Sequence, residues 1–160
     1  TVSVLTVVAA IAILVAKHSA SGIKNLWLVH DSDSGRGEYH IFSKGMEMKR
    51  GEIVAFLYNN KVLVKTTDTF PGEWIDIDDT GYVSINGEPL DEPYLKEHAK
   101  GDLNIDLPYQ VPEGKYFVMG DHRSTSIDSR NTAVGCVAEE QLVGRIVFRV
   151  WPLKKAGRIR

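Results

Sequence analysis

The chain has one cysteine, Cys136, so it can form no intrachain disulfide and no multi-cysteine zinc site. The sequence VGCVA around it supplies no activating base or cation, so Cys136 reads as a small buried hydrophobe rather than a nucleophilic thiol. Its five histidines (His18, His30, His40, His98 and His122) are scattered, with no HxH or HExxH pair, which leaves a metal site unsupported. There is no glycine-rich phosphate loop, no GxSxG elbow, no repeat and no low-complexity tract. Excess charge of one sign is missing too. Nineteen basic residues against 21 acidic ones give a net charge of −2, which does not fit a general nucleic-acid binder. Residues 1–16 carry no charge, and no acid follows Glu140.

What is present is the material of one globular domain. At 160 residues, 43% hydrophobic and 25% charged, the chain can bury a core without disulfide help. Its head, TVSVLTVVAAIAILVA, would reach roughly 24 Å as a helix, short of a roughly 30 Å hydrocarbon core, although Lys17 could snorkel and extend the segment through Ala20. Three readings stand: a membrane anchor over 1–20, which is favoured; a signal peptide, since Ala-Lys-His-Ser-Ala offers small residues for cleavage; and a buried helix, for which five valines and two threonines are indifferent material. The tail carries Arg145, Arg149, Lys154, Lys155, Arg158 and Arg160 with no acid among them, and could touch anionic headgroups or be a solvated end.

Between head and tail the pattern is that of strands. Tyr39–Phe42, Ile53–Tyr58, Val62–Val64, Trp74–Ile77, Tyr82–Ile85, Tyr116–Met119 and Ile146–Trp151 are short and rich in β-branched and aromatic residues. Turn signals separate them: Asn59-Asn60, Pro71-Gly72, Asp79-Thr80-Gly81, Pro112-Glu-Gly114, and Asn86-Gly87, which suits a tight hairpin. The fold class expected is mainly β, an antiparallel sheet domain over 21–160. Residues 88–112, with four prolines and many charges, read as a surface excursion with one helical turn near Tyr94–His98.

Chemistry concentrates in Gly120-Asp-His-Arg-Ser-Thr-Ser-Ile-Asp-Ser-Arg130, directly after the strand Tyr116–Met119. By itself it reads either as a solvated loop or as a polar network in which Asp128 pairs with Arg130 and a hydroxyl such as Ser126 is presented inward. It resembles the GDNRxxSxDSR signature of the bacterial type I signal peptidases, membrane-anchored Ser/Lys proteases. Further boxes resemble that family in the same order. Arg50-Gly-Glu-Ile-Val-Ala-Phe56 is similar to its RGDIVvF box, Lys65 stands where its catalytic lysine falls, and Phe70-Pro-Gly-Glu73 resembles its LPGD. Tyr82–Gly87, Asp91-Glu-Pro-Tyr94, Val111–Gly120, Gly135–Val137, Leu142–Gly144 and Trp151-Pro152 continue the likeness, which covers 50–152.

The chain departs from the family at three points. The usual SMxPT around the nucleophile is absent. Instead, Ser32-Asp-Ser-Gly-Arg-Gly-Glu-Tyr39 resembles the S-x-S-x-P-x-G-x-Y of the conjugative-transfer branch, one residue shorter and without the proline. Lys65 is followed by Thr66-Thr67-Asp68 rather than by arginine, and His122 takes the place of the signature's asparagine.

The resemblance implies a signal-peptidase-like β fold with an N-terminal transmembrane segment and its catalytic domain on the extracytoplasmic side. It implies a Ser/Lys dyad in which Lys65, at the end of Val62-Leu-Val64, acts as the base. A lysine amine serves as a base only when neutral, and burial favours that form. Ser34 is the expected nucleophile, with Ser32, two residues before it, supplying an oxyanion donor; Ser32 itself is the alternative nucleophile. Ser126 would orient the Lys65 amine, and Asp128 and Arg130 would brace its loop. No cofactor or metal is implied. The partners implied are exported preproteins, cleaved at small-residue sites, and membrane lipid, into whose interface Ile23–Val29 could dip; no nucleic acid is implied. Two other readings remain: a non-catalytic relative that binds pilin or another precursor and assists its assembly, and a LexA-type self-cleaving protein, against which the apolar head argues.

Overall fold

A computed structural model describes residues 26–31, 38–45, 47–95 and 97–159. The expected anchor over 1–20 lies outside them, and among the described residues no helix is long and apolar enough to cross a membrane. In chain order the strands are β1 (Leu26–Asp31), β2 (Glu38–Ser43), β3 (Ile53–Tyr58), β4 (Lys61–Thr69), β5 (Trp74–Ile77), β6 (Val83–Ile85), β7 (Glu88–Pro89), β8 (Tyr109–Gln110), β9 (Lys115–Met119), β10 (Val137–Ala138), β11 (Leu142–Trp151) and β12 (Gly157–Arg158). The mainly β, antiparallel class expected from the sequence is what forms. Each of the seven expected strands is present, and β1, β7, β8, β10 and β12 are added, all but β1 only two residues long and so too short to show a period.

The strands build two antiparallel sheets. The larger runs β1-β2-β11-β3-β4-β9-β10, with β12 on β11; the smaller runs β7-β6-β5-β8. Two hairpins turn on paired left-handed residues, Asn59 (φ 46°) with Asn60 (φ 59°) and Asn86 (φ 52°) with Gly87 (φ 84°), the backbone that a two-residue turn needs to match strand twist. Alternation along β5 turns Ile75 and Ile77 inward, where with Val83, Ile85 and Val111 they pack against Phe117 and Met119 of β9. A second cluster joins Val54, Phe56, Leu63, Val118 and Val137, and a third joins Phe42, Ala55 and Ile146. Cys136 is partly buried against the first cluster with its Sγ 3.8 Å from Tyr109 Oη, and burial pushes its thiol up.

Among the described residues the helical turn expected near Tyr94–His98 is not present. The chain turns once, with Leu95 N–H donating to the Glu92 carbonyl at 3.1 Å, and no helix follows among the described residues. Both side chains are spent on a buried cluster instead: Glu92 accepts from Arg123, and Tyr94 Oη lies between Asp68 and Glu92. The 88–112 segment is pinned at its two ends by β7 and β8 and lays Leu90, Leu103, Ile105 and Leu107 against the first core cluster.

Candidate active site

Lys65 lies near the middle of β4, opposite Val54 of β3, and is only 7% exposed. Its Nζ donates to Ser126 Oγ at 3.0 Å. Ser126 comes from the loop that leaves β9, a tight turn in which the Thr125 and Ser126 amides both donate to the His122 carbonyl. Gly120 makes the approach possible. A Cβ there would fall 2.1 Å from Ser126 Oγ and 3.6 Å from Lys65 Nζ.

The loop is tied down behind Ser126. Arg130 donates to Asp128 through two parallel bonds, Nε to Oδ1 and Nη2 to Oδ2, both 2.8 Å, and neither side chain is exposed. Asp128 also accepts from the Gly120 amide at 2.9 Å, so one carboxylate fixes both ends of the turn. Burial works to push the Asp128 carboxyl up, but the Arg130 bonds and charge and the Gly120 amide outweigh it and hold the carboxyl below its ordinary value. The remaining Arg130 donors reach the carbonyls of Lys100 and Arg123 at 2.9 Å each, which ties the 88–112 segment to the loop. Ser129 locks the loop to β9, its Oγ accepting from Val118 N–H at 3.0 Å.

A second buried ionic group, not foreseen from the sequence, sits beside the first. Arg123 is 1% exposed; it donates to both Glu92 oxygens, at 2.5 and 3.4 Å, and stands 3.8 Å from Asp68 Oδ1. Tyr94 Oη lies 3.0 Å from Asp68 Oδ1 and 3.2 Å from Glu92 Oε1. Burial pushes the Asp68 carboxyl up to about 8; Arg123 opposes this and Glu92 adds to it. Burial and the two neighbouring carboxyl groups likewise raise the Tyr94 phenol. Two signals for this cluster stood in the sequence: an aspartate inside a strand, in Val64-Lys-Thr-Thr-Asp68, and the Asp91-Glu-Pro-Tyr94 box.

The position after Lys65 is occupied by Thr66, whose Oγ1 hydrogen-bonds Asp121 Oδ1 at 2.7 Å. Thr66 points to the opposite face of β4 from Lys65 and lines a cavity of about 230 Å³ together with Ile53, Tyr94, Asp121, Arg149 and Arg158. The first two boxes are also in contact. Arg50 donates to the Asp68 carbonyl and, at 2.6 Å, to Glu73 Oε1, while Glu73 Oε2 accepts from Phe70 N–H. The structure therefore brings together Lys65, Ser126, Asp128 and Arg130. Ser32 and Ser34 lie outside the described residues. The strands on either side of them are paired, Asp31 of β1 opposite Glu38 of β2, and β1 also approaches β4. Leu28 in β1 is exposed. Among the described residues no group of three His, Cys, Asp or Glu side chains could hold a metal ion.

The arrangement is that of a lysine and a serine hydroxyl held together under a braced loop, on an antiparallel β scaffold. The family model described as "Signal peptidase, peptidase S26" matches residues 1–151, and the chain belongs to that family. It is 41% identical over 119 residues to signal peptidase I T of Bacillus subtilis, covering 68% of this chain and 60% of the relative. It is 38% identical over 125 residues to signal peptidase IB of Staphylococcus aureus, covering 68% and 63%. The chain thus spans about 60% of the length of these curated relatives. Its fold is similar to the crystal structure of a signal peptidase I from Enterococcus faecalis, with a TM-score of 0.54 and 31% identity over 62% of this chain and 97% of that one.

Proposed function

We propose that this protein is a membrane-bound serine endopeptidase that removes signal peptides from exported preproteins, with Ser34 as nucleophile and Lys65 as general base. The observation that carries the reading is the buried Lys65 amine directed at Ser126 Oγ, 3.0 Å away. An amine fixed by one hydroxyl is oriented to serve a second one.

In this mechanism the Ser34 hydroxyl attacks the scissile carbonyl carbon while the Lys65 amine takes its proton. The oxyanion so formed accepts from the Ser34 amide and the Ser32 hydroxyl. Collapse breaks the C–N bond, and the Lys65 ammonium returns its proton to the departing amine. The signal peptide is then an ester on Ser34. Water attacks that ester, Lys65 takes a proton from the water and returns it to the Ser34 oxygen, and the dyad is restored. Residues 1–20 serve as the single-pass anchor, and 21–160 form the catalytic domain on the extracytoplasmic side. Membrane lipid and the preprotein are the partners.

A preprotein cleavage assay on four proteins tests this. Lys65→Ala and Ser34→Ala are expected to cleave nothing, because no group replaces the base or the nucleophile. Ser32→Ala is expected to lose about 10²- to 10³-fold, the effect of one oxyanion donor, and to keep measurable turnover. If the two serine phenotypes swap, Ser32 is the nucleophile. If the wild type cleaves no preprotein and all three variants still bind a precursor, the chain is a binding relative, a reading that the missing SMxPT box favours.

A further inference from the structure

Asp68 is the next-to-last residue of β4, three residues after Lys65, and is fully buried. Among the described residues, the charged and titratable groups that face it come from elsewhere in the chain. Arg123 and Asp121 come from the loop after β9, Glu92 and Tyr94 from the 88–112 segment, and Arg50, with Glu73 behind it, meets its backbone carbonyl. The count of protons and charges does not close with every group in its usual state. One guanidinium faces two buried carboxyl groups. One phenol hydrogen faces two oxygens, Asp68 Oδ1 and Glu92 Oε1. The other Asp68 oxygen, Oδ2, is buried with no hydrogen-bond partner among the described residues. A buried ionised oxygen without a donor is expensive. One extra proton on Asp68 settles the first two mismatches and eases the third. Arg123 then balances Glu92 alone, the phenol hydrogen goes to Glu92, the Asp68 hydroxyl on Oδ1 donates to Tyr94 Oη, and Oδ2 is left a neutral carbonyl oxygen, cheaper to bury without a donor than an ionised one.

This matters for the site because Arg123 belongs to the Ser126 loop. Its Nε donates to the Gly120 carbonyl at 3.2 Å, and its own carbonyl accepts from Arg130. Arg123 thus ties the glycine under Ser126 to the salt bridge behind it. We propose that Asp68 is a positioning residue that acts in its protonated form, leaving Arg123 to Glu92 so that the Gly120–Ser126 turn is held over Lys65. On ionisation Asp68 competes with Glu92 for the Arg123 guanidinium and pulls on that turn. The catalytic consequence rests on the proposed Ser/Lys mechanism; the proton and its effect on the loop do not.

The test compares wild type with Asp68→Asn, an isostere of the neutral acid that cannot ionise, and with Glu92→Gln. The Ser126 amide resonance is followed by NMR from pH 5 to 9.5. It is expected to titrate with a midpoint near 8 in the wild type, the value to which burial and Glu92 raise the Asp68 carboxyl. It is expected to show no such step in Asp68→Asn, and to titrate at lower pH in Glu92→Gln, where the raising charge of Glu92 is gone. In parallel, the wild-type folding equilibrium constant should fall tenfold per pH unit relative to Asp68→Asn between about pH 5 and 7, then level off above 8, as one proton held only by the folded state requires. In preprotein cleavage, the kcat of Asp68→Asn divided by that of wild type should rise severalfold above pH 8 with KM unchanged. A Ser126 resonance that does not sense Asp68, or a stability difference independent of pH, overturns the proposal whether or not preproteins are cut. A pH-independent kcat ratio in a cleaving enzyme overturns the positioning role and leaves Asp68 a structural acid. Absence of cleavage in every protein, with the Ser126 step intact, overturns the proteolytic reading and supports the proton-held loop.

Discussion

Gly120 has no room for a side chain. A methyl group there would meet Ser126 Oγ at 2.1 Å and its Cβ at 2.5 Å, so Gly120→Ala must push Ser126 away from Lys65. Under the proposed mechanism, misplacement of that order is expected to cost about 10²-fold in preprotein cleavage. The assay that checks it should be paired with a melting curve, because an inactive but folded variant is the outcome that ties the loss to Ser126. Asp128 and Arg130 make a different kind of prediction. Removing Asp128 leaves a guanidinium with no exposed surface and no ion-pair partner among the described residues, although the carbonyls of Lys100 and Arg123 still accept from it. Asp128→Ala is therefore expected to lose about 3 kcal/mol, at the low end for a broken buried pair. Denaturant unfolding of both single variants and the double variant should show strong coupling; additive losses near zero would place the pair outside the stability of the loop.

At the scale of the element, local chemistry and tertiary demand agree in some places and conflict in others. The β6–β7 hairpin is a case of agreement. Asn86 and Gly87 both take positive φ, and Asn86 is held further by accepting the Trp74 amide on its Oδ1 at 2.9 Å. The space around Gly87 is open, so the cost of Gly87→Ala is one of backbone conformation alone. It is expected to be about 1–2 kcal/mol, seen as a lower urea midpoint with an unchanged slope. The 88–112 segment is a case of conflict. Its composition signals exposed loop, yet Glu92 is buried against Arg123 and the carbonyls of Ala99 and Lys100 serve Arg130. Prolines and charges mark where regular structure stops. They do not say which charge will be the counter-ion of a residue 31 positions away.

Over the whole molecule, two buried carboxyl groups act on stability in opposite senses. Asp68 is raised in the folded state, so folding takes up a proton between the usual carboxyl value of 3.8 and about 8, and stability falls as pH rises through that window. Asp128 is depressed, so its contribution is full above 3.8 and is lost as pH falls below it. The combined expectation is a stability that rises on acidification from pH 8 towards about 4 and then drops. Denaturant midpoints across pH check both limbs. Asp68→Asn should flatten the first and leave the second, whereas a wild-type curve flat from pH 8 to 5 would contradict the buried proton.

Much of this protein could be read from its residues alone, for physical reasons that are local. Strand alternation, two-residue turns and the run of boxes from Arg50 to Pro152 depend on near neighbours in sequence, and they were enough for the mainly β class and for expecting Asp128 to meet Arg130 two positions on. The placement of Lys65 against Ser126, 61 residues apart, and the choice of Gly120 as the point of closest approach depend on how β4 and β9 come to lie side by side. So does the Asp68–Glu92–Arg123 cluster. Its members come from a strand, a loop and a strap, and only packing decides that two carboxyl groups share one guanidinium, because burial is a property of the folded whole and not of any segment.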